Sequence, residues 1–163
     1  MYGQSKRAGE IGIESSGCAY AILRTSWVFD GIGQNFLTTM LSLAQTRPSL
    51  SIVDDQLGRP TYAGHLAKAG LAVARALVEG KNNSQGIFHV SNSGPIISWA
   101  EFAQAIFDNE NLSVEVKKIP STEYPTPAKR PLFSALDLEK FESMFDYKLP
   151  SWQEGLRAAL ADR

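Results

Sequence analysis

Cysteine is all but missing from this sequence, with Cys18 the only one. An internal disulfide framework is impossible, and a reducing, cytoplasmic home is the expectation. Histidine is almost as scarce: His65 and His89 stand too far from each other and from Cys18 for any zinc-binding spacing. No metal site is expected, and both histidines are read as structural. Neither sign of charge dominates, since 16 basic and 17 acidic residues leave a formal net charge of −1. That balance provides no broad basic face for nucleic acid and no polybasic segment for a membrane. No apolar run approaches the roughly 20 residues that a membrane-spanning helix needs. A Gly-rich phosphate cradle is wanting too, because Gly31-Ile32-Gly33 lacks the third glycine of a dinucleotide-binding turn.

What is there is an alternation of helix and strand patterns over 163 residues, 44% of them hydrophobic. A short helix over residues 5–14 ends at Ser15-Ser16-Gly17. Residues 18–29 read as one strand, apolar at first and polar at Arg24-Thr25-Ser26. Near-continuous apolar strands belong to buried parallel sheets, and a polar carboxyl end suits a ligand crevice. Helices are expected over residues 35–45 and 63–79, and strands over 50–53, 86–91 and 114–119. Ser98 with Glu101 and Ser151 with Glu154 form capping boxes, each opening a helix. Pro120, Pro125, Pro127 and Pro131 mark an extended surface loop. The alternation predicts an α/β fold with a partly parallel sheet.

Tyr2 and Lys6 lie four residues apart, hence on one face of the first helix. A free phenol releases its proton at a pKa of roughly 10, and a neighbouring ammonium favours the phenolate. The pair therefore suits proton transfer, although the same spacing is common on ordinary solvated helices.

The run from Tyr2 to Glu10, Tyr-Gly-Gln-Ser-Lys-Arg-Ala-Gly-Glu, closely resembles the catalytic helix of extended short-chain dehydrogenases/reductases. Within that superfamily the sequence is most similar to the dTDP-4-dehydrorhamnose reductase family. Further blocks follow in family order: residues 23–29, Asn35-Phe36, residues 53–62, 98–103, 123–131 and 134–137. The resemblance spans essentially the whole chain. It implies the carboxyl-terminal part of a Rossmann-like doubly wound sheet plus the small substrate-binding α/β region. Residues 1–163 are expected to form a single substrate-binding half, with the Gly-rich half and an upstream Ser or Thr of the site not included.

The resemblance also implies the chemistry. NADPH is the expected cofactor, a nucleotide sugar the expected partner, and Tyr2 the proton donor to a reduced ketone. Lys6 assists Tyr2, and Tyr2, Lys6 and Thr25 are expected to contact the cofactor. Trp27, Asn35, Gln56 and Arg130 are the expected substrate contacts. Each has a plainer reading: Trp27 as a core residue, Asn35 as a helix cap, Gln56 as a turn amide, Arg130 as a surface cation. Asp54 and Asp55 are read as structural. His65 stands where the family usually has aspartate, and Phe29 where tyrosine is common. The rival reading is a non-catalytic regulatory or binding member of the same superfamily. An exposed strand edge at residues 21–29 leads to an expectation of self-association.

Overall fold

The first helix, α1 (Tyr2–Glu14), is an outlier: none of its residues is buried, although its neighbours build the rest of the chain around apolar contacts. It belongs to a computed structural model that describes residues 1–128 and 130–163. Lys129, part of the proline-rich block, lies outside the described residues. Helix α1 is fastened by charge: Arg24 Nε and Nη2 donate to the two Glu10 carboxylate oxygens at 2.7 and 2.6 Å. Arg7 reaches Glu10 and Glu14 at 3.2 and 2.9 Å. The Arg24 guanidinium, helped by Arg7, holds the Glu10 carboxyl down to about 2, so the link stays charged throughout the neutral range.

The reading of residues 18–29 as one strand needs correcting. The structure divides them into β1 (Ala21–Arg24) and β2 (Val28–Phe29). The physical cause is Trp27, whose φ of 51° is left-handed and cannot continue an extended chain. The two pieces then find different partners. β1 pairs in parallel with β6 (Gly86–His89), and β2 pairs in parallel with β5 (Thr61–Tyr62). A third parallel pair joins β3 (Ser49–Val53) to β8 (Glu115–Ile119). The short β4 (Leu57–Gly58) runs antiparallel to β7 (Ile97–Ser98). The α/β class with mainly parallel pairing therefore holds.

Helices α2 (Phe36–Ala44), α4 (Trp99–Asn109) and α6 (Trp152–Ala161) enclose one core. Phe102, Ile106, Phe107, Leu37 and Leu156 are fully buried there. The predicted boxes are present at Ser98 and Ser151, with Ser98 N donating to Glu101 at 2.7 Å and Ser151 N to Glu154 at 2.8 Å. A second core packs α3 (Ala63–Val78) and α5 (Glu139–Phe145) on β6 through Val73, Phe88, Val90 and Phe141.

His65 and Asn92 pin α3 beneath the turn that precedes it. Asn92 Oδ1 accepts the Tyr62 N–H at 2.8 Å, which orients the amide so that Nδ2 faces His65 Nδ1 at 2.7 Å. His65 Nδ1 is then the acceptor, and the neutral ring carries its proton on Nε2. Burial, reinforced by Lys68, pushes its pKa below 6.5. An unfolded chain binds this proton more readily, so His65 stabilises the fold fully above about pH 6.5 and progressively less as pH falls below it. Urea midpoints should therefore drop between about pH 7.5 and about pH 5.5, and the drop should shrink in His65→Gln. Equal drops in the two proteins would remove His65 from this role.

Candidate active site

Three residues beyond the carboxyl end of β1, Trp27 borders a small cleft. Trp27, Gln56, Trp99, Arg130, Pro131 and Ser134 line a space of about 180 Å³. Its wall is an aromatic pair, Trp27 and Trp99, with centroids 3.6 Å apart and planes 8° from parallel. Phe36 lies behind Trp99 at 4.6 Å and stacks on Phe102 at 5.6 Å, connecting the wall to the core. Gly58 is required beneath the Trp27 indole, because a Cβ there would sit 2.6 Å from Trp27 Cε2. Pockets for drug-sized ligands run to roughly 300–1,000 Å³, so this cleft has room for only part of such a molecule.

A larger open depression of about 600 Å³ lies elsewhere, lined by Arg59, Gly94, Leu136, Asp137, Glu142 and Lys148 among others. Its arginine is committed: Arg59 Nε and Nη1 donate to the carbonyls of Gly94 and Leu136. Glu139 also lines it, and three carboxylates against Arg59 and Lys148 make it a poor host for a diphosphate.

Trp27, Gln56 and Arg130 are thus brought together as expected. Asn35 is not in the cleft lining. Its Nδ2 donates to the carbonyls of Asp30 and Ile32, and its Oδ1 accepts the Thr38 N–H, which makes it the cap of α2. Asp54 accepts from Ser98 Oγ at 2.6 Å, and Asp55 accepts from both Ser121 N and Ser121 Oγ at 2.9 Å. Both aspartates hold loops, in keeping with the structural reading. Trp99 and Ser134 are cleft residues that the sequence reading did not single out. A cue existed for Trp99: it is the first residue after the Ser98 cap, off the fully buried stripe of α4.

Tyr2 and Lys6 share one face of α1, with Lys6 Nζ 5.6 Å from the Tyr2 ring centroid. Tyr2 is 77% exposed. The Glu10–Arg24 pair anchors this helix to the residue immediately before Thr25, so one chain segment carries the helix anchor, Thr25 and Trp27 in succession. Thr25 Oγ1 is buried and has no hydrogen-bond partner among the described residues. A hydroxyl left in that state costs free energy until some group meets it, which fits a polar ligand at the end of β1. Among the described residues no three His, Cys, Asp or Glu side chains cluster as a metal site, and no helix is long and apolar enough to cross a membrane.

The whole chain, residues 1–163, matches the family described as RmlD substrate binding domain. It belongs to that family. A dTDP-4-dehydrorhamnose reductase from Sinorhizobium fredii is 42% identical over 162 residues, covering 96% of this chain and 54% of the relative. A spore coat polysaccharide biosynthesis protein from Bacillus subtilis is 39% identical across the full chain. The crystal structure of a dTDP-4-dehydrorhamnose reductase from Bacillus anthracis, in complex with NADP, superposes with a TM-score of 0.88 at 35% identity. That match covers 99% of this chain and 55% of the other, so the chain spans about half the length of the relatives it matches. This chain therefore has the α/β fold of the matching part of that Rossmann-like reductase.

Proposed function

We propose that this chain is the substrate-binding part of an NADPH-dependent reductase that converts dTDP-4-dehydro-L-rhamnose to dTDP-L-rhamnose. The observation that carries the reading is the cleft itself. A flat indole wall, an amide at Gln56 and a cation at Arg130 converge at the polar end of β1, in a chain of this family. An indole face packs well on a sugar or base, and a guanidinium can grip a phosphate with two parallel bonds.

Tyr2, Lys6 and Thr25 are the residues that would hold the cofactor, and the unpartnered Thr25 hydroxyl is consistent with that role. When bound, NADPH supplies the hydride that reduces the C4 ketone. The Tyr2 hydroxyl gives its proton to the oxygen developing negative charge at C4. The Lys6 ammonium, held over the Tyr2 ring, stabilises the phenolate that remains. The Trp27–Trp99 wall orients the sugar and excludes water from one of its faces. The test is an assay of a protein joining this chain to a dinucleotide-binding half. Consumption of NADPH that depends on dTDP-4-dehydro-L-rhamnose supports the reading; its absence in a folded, NADPH-binding protein refutes it.

The polypeptide 1–163 is also proposed to self-associate. Among the described residues β1 has β6 as its only strand partner, and α1 exposes Ile11 and Ile13 at 47% and 44%. An open edge beside apolar side chains is a template for pairing. Sedimentation should show dimers or larger species at high micromolar concentration. A monomer with a cooperative melt would contradict this.

A further inference from the structure

Ser134 has no part in the mechanism above, yet the cleft is organised around it. Its Oγ accepts the Trp27 indole N–H at 3.0 Å and donates to the Leu57 carbonyl at 3.1 Å. The Ser134 backbone N–H donates to the same Leu57 carbonyl at 2.8 Å, and the Ser134 carbonyl accepts from Ser26 Oγ at 3.3 Å. The hydroxyl is thereby fixed at both ends, with its proton directed to Leu57 and a lone pair to Trp27.

Trp27 needs such a hold. A bulky side chain at φ 51° is a strained conformation that persists only where its surroundings impose it. Three of those surroundings are flat or backbone contacts: the Trp99 face at 3.6 Å, Gly58 beneath the ring, and the Trp27 carbonyl accepting from Thr61 N at 3.0 Å. None of these sets the angle of the indole within its own plane. The bond to Ser134 does, because it is directional and comes from the ring edge. The same strand of chain, pairing beside Leu57 at Phe133, follows directly on Arg130 and Pro131 of the cleft.

We propose that Ser134 is a positioning residue for the ligand cleft: it sets the Trp27 indole against Trp99 and couples that wall to the loop bearing Arg130. This rests on the reading of the cleft as a nucleotide-sugar site. Ser134 also lines the cleft, so acting through Trp27 must be separated from touching the ligand directly.

Circular dichroism of the indole bands makes that separation without ligand. Two stacked tryptophans give an exciton couplet, and its loss in Trp99→Phe identifies it as the Trp27–Trp99 signal. The couplet should weaken in Ser134→Ala and be retained in Ser134→Thr, which keeps the hydroxyl. A second measurement titrates the chain with dTDP-L-rhamnose. Ser134→Ala should raise Kd about fivefold to tenfold, Ser134→Thr should restore it, and Ser134→Ala should add nothing in a Trp27→Phe background, where no N–H remains. A full couplet in Ser134→Ala overturns the proposal, as does an equal Kd penalty with and without the Trp27 indole. Failure of the unaltered chain to bind dTDP-L-rhamnose refutes the ligand instead, and the couplet then decides the positioning claim by itself.

Discussion

Tyr2→Phe, made in a protein joining this chain to a dinucleotide-binding half, is expected to lower kcat about 10²- to 10⁴-fold with little change in KM. The substitution removes one hydroxyl and leaves the ring, so the Lys6 ammonium keeps its aromatic neighbour. The stability of this half should be untouched, because within it Tyr2 is largely exposed and α1 is held by Glu10 and Arg24 instead. Substrate binding should also survive, since the cleft is built from other elements. Steady-state kinetics on the two proteins, with matched melts, separates these effects. Near-normal turnover would assign the proton to another group.

Phe102→Ala is expected to cost about 3–5 kcal/mol, a large part of the roughly 5–15 kcal/mol that a domain has in total. Phe102 is fully buried, with Phe29 edge-on at 5.1 Å, Phe36 stacked at 5.6 Å and Trp152 edge-on at 5.9 Å. Three rings from three elements cannot all move in to fill the space, so most of the cavity remains. The loss also reaches the site, because Phe36 lies between Phe102 and Trp99. Denaturant midpoints should fall sharply, and the indole couplet of the folded fraction should weaken. A cost below about 1 kcal/mol would mean that this core collapses readily around the gap.

Local chemistry made much of this fold legible. Ser98 with Glu101 and Ser151 with Glu154 announce their helices within four residues, and both boxes form. The box at Asn35 escaped notice because Thr38, rather than Glu or Gln, reaches back to the cap N–H. Residues 18–29 misled for a related reason. Trp27-Val28-Phe29 resumes the apolar pattern after Arg24-Thr25-Ser26, and nothing in side-chain polarity records a single left-handed residue. The strands β4, β5 and β7 have two residues each, too few for any periodicity.

The site divides along the same line. Tyr2 and Lys6 are neighbours through helical spacing, so their face was readable. Thr25 and Trp27 follow a strand whose polar end signals a crevice. Ser134 and Leu57 meet across 77 positions, and Trp27 and Ser134 across 107, with no local signature at either end. His65 is the instructive case: it forgoes the anionic side chain that suits a helix start, and the buried Asn92 amide explains what it gains instead.

As proposed, the Trp27–Trp99 cleft receives one ring of a dTDP-sugar, with Gln56 and Arg130 beside it. An NMR titration of the chain with dTDP-L-rhamnose, following the indole N–H signals and the backbone amides, tests that proposal. Weak, saturable binding is expected, with shifts at the indoles of Trp27 and Trp99 and at the amides of Gln56 and Arg130, while the Trp152 indole stays in place on the Pro95 carbonyl. Saturating shifts confined to the depression around Arg59 and Glu142, or none at any concentration in a folded sample, would contradict it.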